Sequence, residues 1–141
     1  MVSEILDLIR RVHGHVGPYV VAGVRAGQAA VDHLGAKPHF GVDAIVQCPD
    51  APPPSCFIDG VQLATGCTMG KRNIEHTVGE SVELTLHNRD SGQAVRVGLN
   101  ADLVAEAIEI LRTRTDTEAG EFMLSRDAGE LLTIEPCQWP R

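Results

Sequence analysis

Pro18 to Leu34 is the segment that most narrows what this chain can fold into. Proline suits the first turn of a helix, where its missing N–H would have had no partner, and Gly35 supplies a stop. Between them Gly23, Ala26, Gly27, Ala29 and Ala30 carry side chains small enough for another backbone to come close, while Val20, Val24 and Val31 offer apolar contact. The pattern predicts a buried central helix against which the rest of the chain packs.

The remaining elements follow from period and punctuation. Ser3 can cap a first helix in which Ile5, Leu6, Ile9 and Val12 recur at helical spacing, ending at the glycine of His13-Gly14-His15. Val42 to Gln47 reads as a strand. It runs into Cys48-Pro49-Asp50-Ala51-Pro52-Pro53-Pro54, too rich in proline for a helix or sheet interior and so a stiff surface loop. Ser55 can cap a helix to about Ala64 that Thr65-Gly66 ends. Alternation over 81–87 and 94–99, joined by Asn88-Arg89-Asp90-Ser91-Gly92, predicts a β-hairpin. A helix begins at Asn100 or Asp102, a shorter one is expected over 117–129, and a last strand over 131–134. This order suggests an α+β fold, with helices packed on one side of a small mixed sheet. The expectation is a single domain over residues 1–141 with a short C-terminal tail from about 130, docked by Cys137 and Trp139.

A formal charge of −7, with Lys and Arg scattered, leaves no basic stripe for phosphates, so no nucleic-acid partner is expected. No apolar run reaches the roughly 18 residues of a membrane span, and no export signal is evident. A cytoplasmic setting follows as the expectation. There the four cysteines, Cys48, Cys56, Cys67 and Cys137, stay reduced and are read as ligands, nucleophiles or buried thiols.

Three features carry chemistry: His13-Gly14-His15-Val16-Gly17-Pro18, the pair Cys56 and Cys67, and Thr65-Gly66-Cys67-Thr68-Met69-Gly70-Lys71. Each also has an ordinary reading. An isolated His-x-His is more often a polar turn, and Cys67 between Gly66 and Thr68 can be a compact buried residue. The glycine-lysine stretch is not a phosphate loop, because Arg72 stands where a hydroxyl is required. Lys71 or Arg72 could hold an anionic group or simply face solvent. Asp59 and Gln62 could orient a ligand, or cap and face solvent.

Taken together these residues resemble the FmdE family of formylmethanofuran dehydrogenase components. The family's His-Gly-His-x-Cys-Pro motif and small-residue helix are matched by His13, Gly14, His15, Pro18, Gly23 and Arg25. Its second motif is matched by Cys56, Asp59, Gly60, Gln62, Thr65, Gly66, Cys67, Thr68, Gly70, Lys71 and Asn73. Over about residues 5–100 the resemblance implies an α+β fold of the kind shared with the catalytic domain of glyceraldehyde-3-phosphate dehydrogenase. It also implies a bound transition metal such as zinc, and often a homodimer. A metal-binding role in one-carbon or molybdenum-dependent metabolism, with metal-assisted catalysis on a small molecule, is what membership would mean. The rival is a non-catalytic accessory component, metal carrier or sensor.

The chain departs from the family in three places. Gly17 stands where the family has cysteine, Gln47 where it has an acidic residue, and Cys48 with the proline-rich segment is additional. The tail Glu135-Pro136-Cys137-Gln138-Trp139 does not resemble the zinc-ribbon extension of some members. The loss at Gly17 removes a thiol from a helix start, where the dipole and free N–H groups would favour thiolate.

First candidates for metal are His15 and Cys56, each at a helix N-terminus that a shared cleft could bring together; His13, Cys48 and Cys67 come next, with Cys48 a replacement for the missing thiol. If 56–67 were one helix, a rise of about 1.5 Å per residue would separate its two cysteines by roughly 16 Å, too far for one zinc ion. Either the segment bends, or Cys67 belongs to a second site that another copy of the chain could complete. Lys71 and Asn73 are the candidate cofactor-binding residues.

Overall fold

The computed structural model describes residues 2–141. Among these, six α-helices pack on one five-stranded mixed sheet, an α+β architecture. The helices are α1 (Val2–Val12), α2 (Pro18–Leu34), α3 (Cys56–Thr65), α4 (Ala101–Thr113), α5 (Asp116–Ser125) and α6 (Ala128–Leu131). The strands are β1 (Val42–Cys48), β2 (Ile74–Val78), β3 (Glu83–Asn88), β4 (Ala94–Leu99) and β5 (Leu132–Cys137), in the spatial order β2-β1-β3-β4-β5. β1 and β2 run parallel through the crossover helix α3, and every other neighbouring pair is antiparallel.

Alternation within the strands sorts the two faces of the sheet. Val42, Ala44, Val46 and Cys48 of β1 point inward beside Leu84 and Leu86 of β3 and Val95 and Val97 of β4, and all are buried. Phe57, Val20, Val24 and Val61 meet them from the helical layer. Full burial of a side chain such as Phe57 or Leu84 contributes roughly 1.5–3 kcal/mol. The opposite face carries Asp43, Gln47, Glu83, Thr85, His87, Arg96 and Glu135.

α2 is the centre, as its small residues imply. At its crossing with α3, Gly23 and Gly60 face each other. A Cβ on Gly23 would strike Phe57 O and come within 3.0 Å of Gly60 Cα, and one on Gly60 would strike Val20 O and lie 2.7 Å from Val24 N. Arg25 leaves the same helix toward α5, where its Nη1 donates to the carbonyls of Met123 and Leu124, both at 2.9 Å. The arginine of the first motif thus ties down the open end of a neighbouring helix.

Several boundaries differ from the sequence expectation. Ser3 lies within α1 instead of capping it. Ser55 occupies the N-cap of α3 without a side-chain bond, because its backbone already has helical angles after the proline turns. The helix expected over 117–129 is two, α5 and α6, parted by Arg126 and Asp127; Thr115 caps the first through Glu118 N at 3.1 Å. The last strand, expected over 131–134, is β5, which runs on to Cys137 within what was expected to be the tail and pairs along β4. β2 was not anticipated.

Candidate functional site

α1 ends in a tight turn. The amides of His13 and Gly14 both donate to Ile9 O, at 2.8 and 3.2 Å, and Gly14 takes φ +98°, a conformation glycine adopts freely. Val16 is buried beyond it, and Gly17 caps α2 with extended backbone (φ −126°, ψ 172°). This turn presents both histidines at the mouth of α2.

His13 points inward, its side chain 8% exposed. Nδ1 lies 2.6 Å from Asp59 Oδ2 on the first turn of α3, whereas the buried Nε2 has no partner. A carboxylate on Nδ1 holds the ring proton there, which leaves the Nε2 lone pair free. Leaving a buried polar nitrogen unsatisfied costs about 1–3 kcal/mol, so the atom calls for an explanation. His15 is oriented in the same way: its Nδ1 stands 2.8 Å from Asp116 Oδ2 at the start of α5. The two rings are 4.7 Å apart at their centroids. A Cβ built on Gly17 would touch His15, 3.3 Å from Cε1 and 3.4 Å from Nδ1. The position where the family has cysteine therefore abuts this imidazole pair.

Cys56 opens α3 and lies three residues before Asp59, one turn away on the same helix. Burial pushes its thiol pKa up, and the neighbouring Asp59 charge adds to that. Burial likewise raises the thiols of Cys48 and Cys67. In all three, burial favours the neutral thiol over the thiolate.

The other candidates are dispersed. Cys67 is fully buried beyond the far end of α3, with Sγ 3.7 Å from Val42 O; the whole length of that helix keeps it apart from Cys56. Its surroundings form a folding knot. Thr65 Oγ1 donates to Val61 O and accepts from Cys67 N, and Gly66 ends the helix at φ +73° under the ring of His39. Asn73 is buried, donating to the carbonyls of His39 and Val42 at 2.8 and 3.0 Å and accepting from Thr68 N at 3.0 Å. Lys71 reaches Thr68 Oγ1 at 3.4 Å and lies 5.7 Å over the Phe40 ring. Cys48 closes β1 and meets His76 of β2. Among the described residues no three His, Cys, Asp or Glu side chains form a group set to hold a metal ion, and no helix is long and apolar enough to cross a membrane.

Sequence reasoning left Asp59 between two roles and did not single out Asp116 or His76. Asp59 carried a signal in its place within the second motif. Asp116 carried none, since it meets His15 only through the packing of α5 on α2.

A five-stranded mixed sheet under a glycine-packed helix pair, with two carboxylate-held histidines at the mouth of the central helix, defines the class: an α+β domain built around a His-Gly-His turn. The chain belongs to the FmdE family, whose model, described as molybdenum formylmethanofuran dehydrogenase operon, matches residues 12–134. It is 35% identical over 119 residues to a probable S-adenosyl-L-methionine-binding protein of Archaeoglobus fulgidus, a match covering 77% of this chain and 31% of that protein. The chain thus spans about a third of that relative's length. Its fold matches the crystal structure of a tungsten formylmethanofuran dehydrogenase FmdE-like protein from Syntrophus aciditrophicus, with a TM-score of 0.71 and 24% identity over 97% of this chain and 72% of that one.

Proposed function

We propose that this chain binds a transition metal, zinc by preference, at the mouth of α2, and acts as a cytoplasmic homodimer in one-carbon or molybdenum-dependent metabolism. The observation that supports this reading is His13: a buried Nε2 without a partner, backed by a carboxylate on Nδ1, has the form of a ligating imidazole with its orienting partner. Imidazole nitrogen and thiolate sulfur are donor types that a borderline-soft ion takes. His13 and His15 would supply nitrogen and Cys56 sulfur, with Asp59 and Asp116 fixing the tautomers. A bound zinc with an open position would supply a Lewis acid or an activated water. The chain's own part is to orient two imidazoles, to keep His13 away from bulk water, and to leave room at Gly17 where a side chain would press on His15.

A second reading, a non-catalytic accessory, carrier or sensor module, draws support from two observations. Gly17 supplies no thiol, and a region similar to this chain lies within a longer protein.

Elemental analysis of freshly purified protein tests the metal site. We expect zinc in the wild type, and a loss of one equivalent in His13→Gln and in the double variant His15→Ala/Cys56→Ala. Asp59→Ala should weaken binding about 10–100-fold through the loss of ring orientation. Undiminished metal in the first two variants overturns the assignment. A site with three protein ligands plus water favours catalysis, and four protein ligands favour the carrier reading.

A further inference from the structure

β2 and β5 are the two edges of the sheet, and they are finished differently. β5 carries Pro136, which has no N–H to offer another strand. β2, Ile74-Glu75-His76-Thr77-Val78, has neither proline nor lysine, residues that commonly blunt an edge, and only Ile74 is buried. Its pairing with β1 fixes which backbone groups are free. Ala44 N–H donates to Asn73 O at 2.9 Å and Gly79 N–H donates to Cys48 O at 3.2 Å, so in the parallel register the odd-numbered residues of this stretch bond to β1. Ile74, His76 and Val78 therefore turn their N–H and C=O groups out from the edge. The His76 ring leaves that edge clear, because its Nε2 is folded back to 3.1 Å from Cys48 O. Exposed apolar side chains stand at both ends of the strand. Val78 closes it at 64% exposure, and Met69 and Phe40, each 63% exposed, lie in the turn that leads into it and beside Lys71 of that turn.

We propose that β2 pairs antiparallel with β2 of a second copy across a two-fold axis at His76, joining the two sheets into one. The proposal rests on the homodimer reading above and supplies its interface. A single register satisfies the edge. Outward residues must meet outward residues, and an axis at His76 sets His76 against His76 and Ile74 against Val78 of the second copy, so that every free group of the strand is used. The same register sets Glu75 opposite Thr77 of the second copy. Moving the axis to Glu75 leaves Val78 without a partner in the strand and sets carboxylate against carboxylate, which destabilises a pair. Moving it to Thr77 leaves Ile74 unused. Glu75 is already met by Arg141 at 2.8 Å, so the edge carries no unbalanced charge against its own image. Around this axis Val78 of each copy lies against Ile74 of the other and toward the turn that bears Met69 and Phe40, which takes exposed apolar surface out of water on both sides. The strand is complementary to itself in hydrogen bonding, charge and apolar ends at one and the same register, and that points to a second copy of this chain as its partner.

Sedimentation velocity on the full chain tests the pairing. The wild type is expected to sediment as a dimer at micromolar concentration. Val78→Pro removes an outward N–H while sparing the bonds to β1, and should yield monomer. Thr77→Glu places a second carboxylate opposite Glu75 at both symmetric positions and should weaken dimerisation about tenfold, with a larger effect at low salt. Thr77→Lys places an ammonium there instead and should leave the dimer at least as tight. A wild-type dimer that Val78→Pro and Thr77→Glu both leave intact overturns the edge pairing while the homodimer reading stands. A monomeric wild type overturns both. Equal weakening by Thr77→Glu and Thr77→Lys removes the register, and the proposal with it. Should Val78→Pro fail to fold, as checked by circular dichroism, the two changes at exposed Thr77 decide alone. Zinc content, measured on the same samples, is expected to be the same in all of them, which keeps this test apart from that of the α2 mouth.

Discussion

At the crossing of α2 and α3 the contact is backbone against backbone, whereas the outer face of the sheet is tied by charged and aromatic side chains. Gly23 and Gly60 leave no room between the two helices. On the outer face Arg89 grips Asp43 through two bonds of 2.9 and 2.6 Å, His87 joins the same carboxylate at 3.2 Å, and Trp139 stacks on His87 with centroids 5.0 Å apart. Farther along, Arg141 reaches Glu75 at 2.8 Å. The first region resists any added atom. The second tolerates change but responds to charge. The His13–Asp59 pair belongs to the first region, because Asp59 rides on α3, so the ring's position is fixed by a helix crossing with no slack.

The comparison is broken most directly at Gly60. Gly60→Ala puts a methyl into the backbone of α2, and we expect a loss of about 3 kcal/mol or more, seen as collapse of the cooperative melt in calorimetry. A stable, fully folded Gly60→Ala protein would show the crossing to be looser than its geometry. The middle effect belongs to Asp43. Its carboxyl is held below the usual range, chiefly by the hydrogen bond from Arg89, against the opposing pull of burial. Its folded pKa is thus below its unfolded one, so its contribution is complete above the ordinary carboxylate range and is lost as pH falls through the folded value. Asp43→Asn should cost about 1–2 kcal/mol near neutrality and flatten the acid limb of the stability profile, measured by urea unfolding across pH. The smallest effect is Arg141→Ala. Its pair with Glu75 is half exposed on both sides, so the change should cost no more than about 0.5 kcal/mol and vanish in high salt, as melting temperatures would report.

The same division explains what could be read from residues alone. α2 was legible from Pro18 to Leu34, because proline, a run of small residues and a left-handed Gly35 (φ +55°) are local signals. The hairpin of β3 and β4 was legible for the same reason. β2 was not: only Ile74 of its five residues is buried, so no alternation marks it, and its partner β1 lies across a helix in sequence. In the candidate site, the histidine pair and Cys56 stood out through motif spacing. Asp116 did not, since what brings it to His15 is tertiary packing. Asn73 and Thr65 drew notice as motif members, and their bonds to backbone give them structural work that spacing cannot distinguish from ligand binding.

Gly17 ends α1's approach to the central helix in a backbone shape open to every residue type, so nothing conformational demands glycine there. The absent side chain alters only the chemistry next to His15, and the ring would need to yield by a few tenths of an ångström for one to return. The chemistry at this mouth is therefore adjustable apart from the scaffold: one codon can set a new side chain against His15 while the backbone that carries it stays as it is.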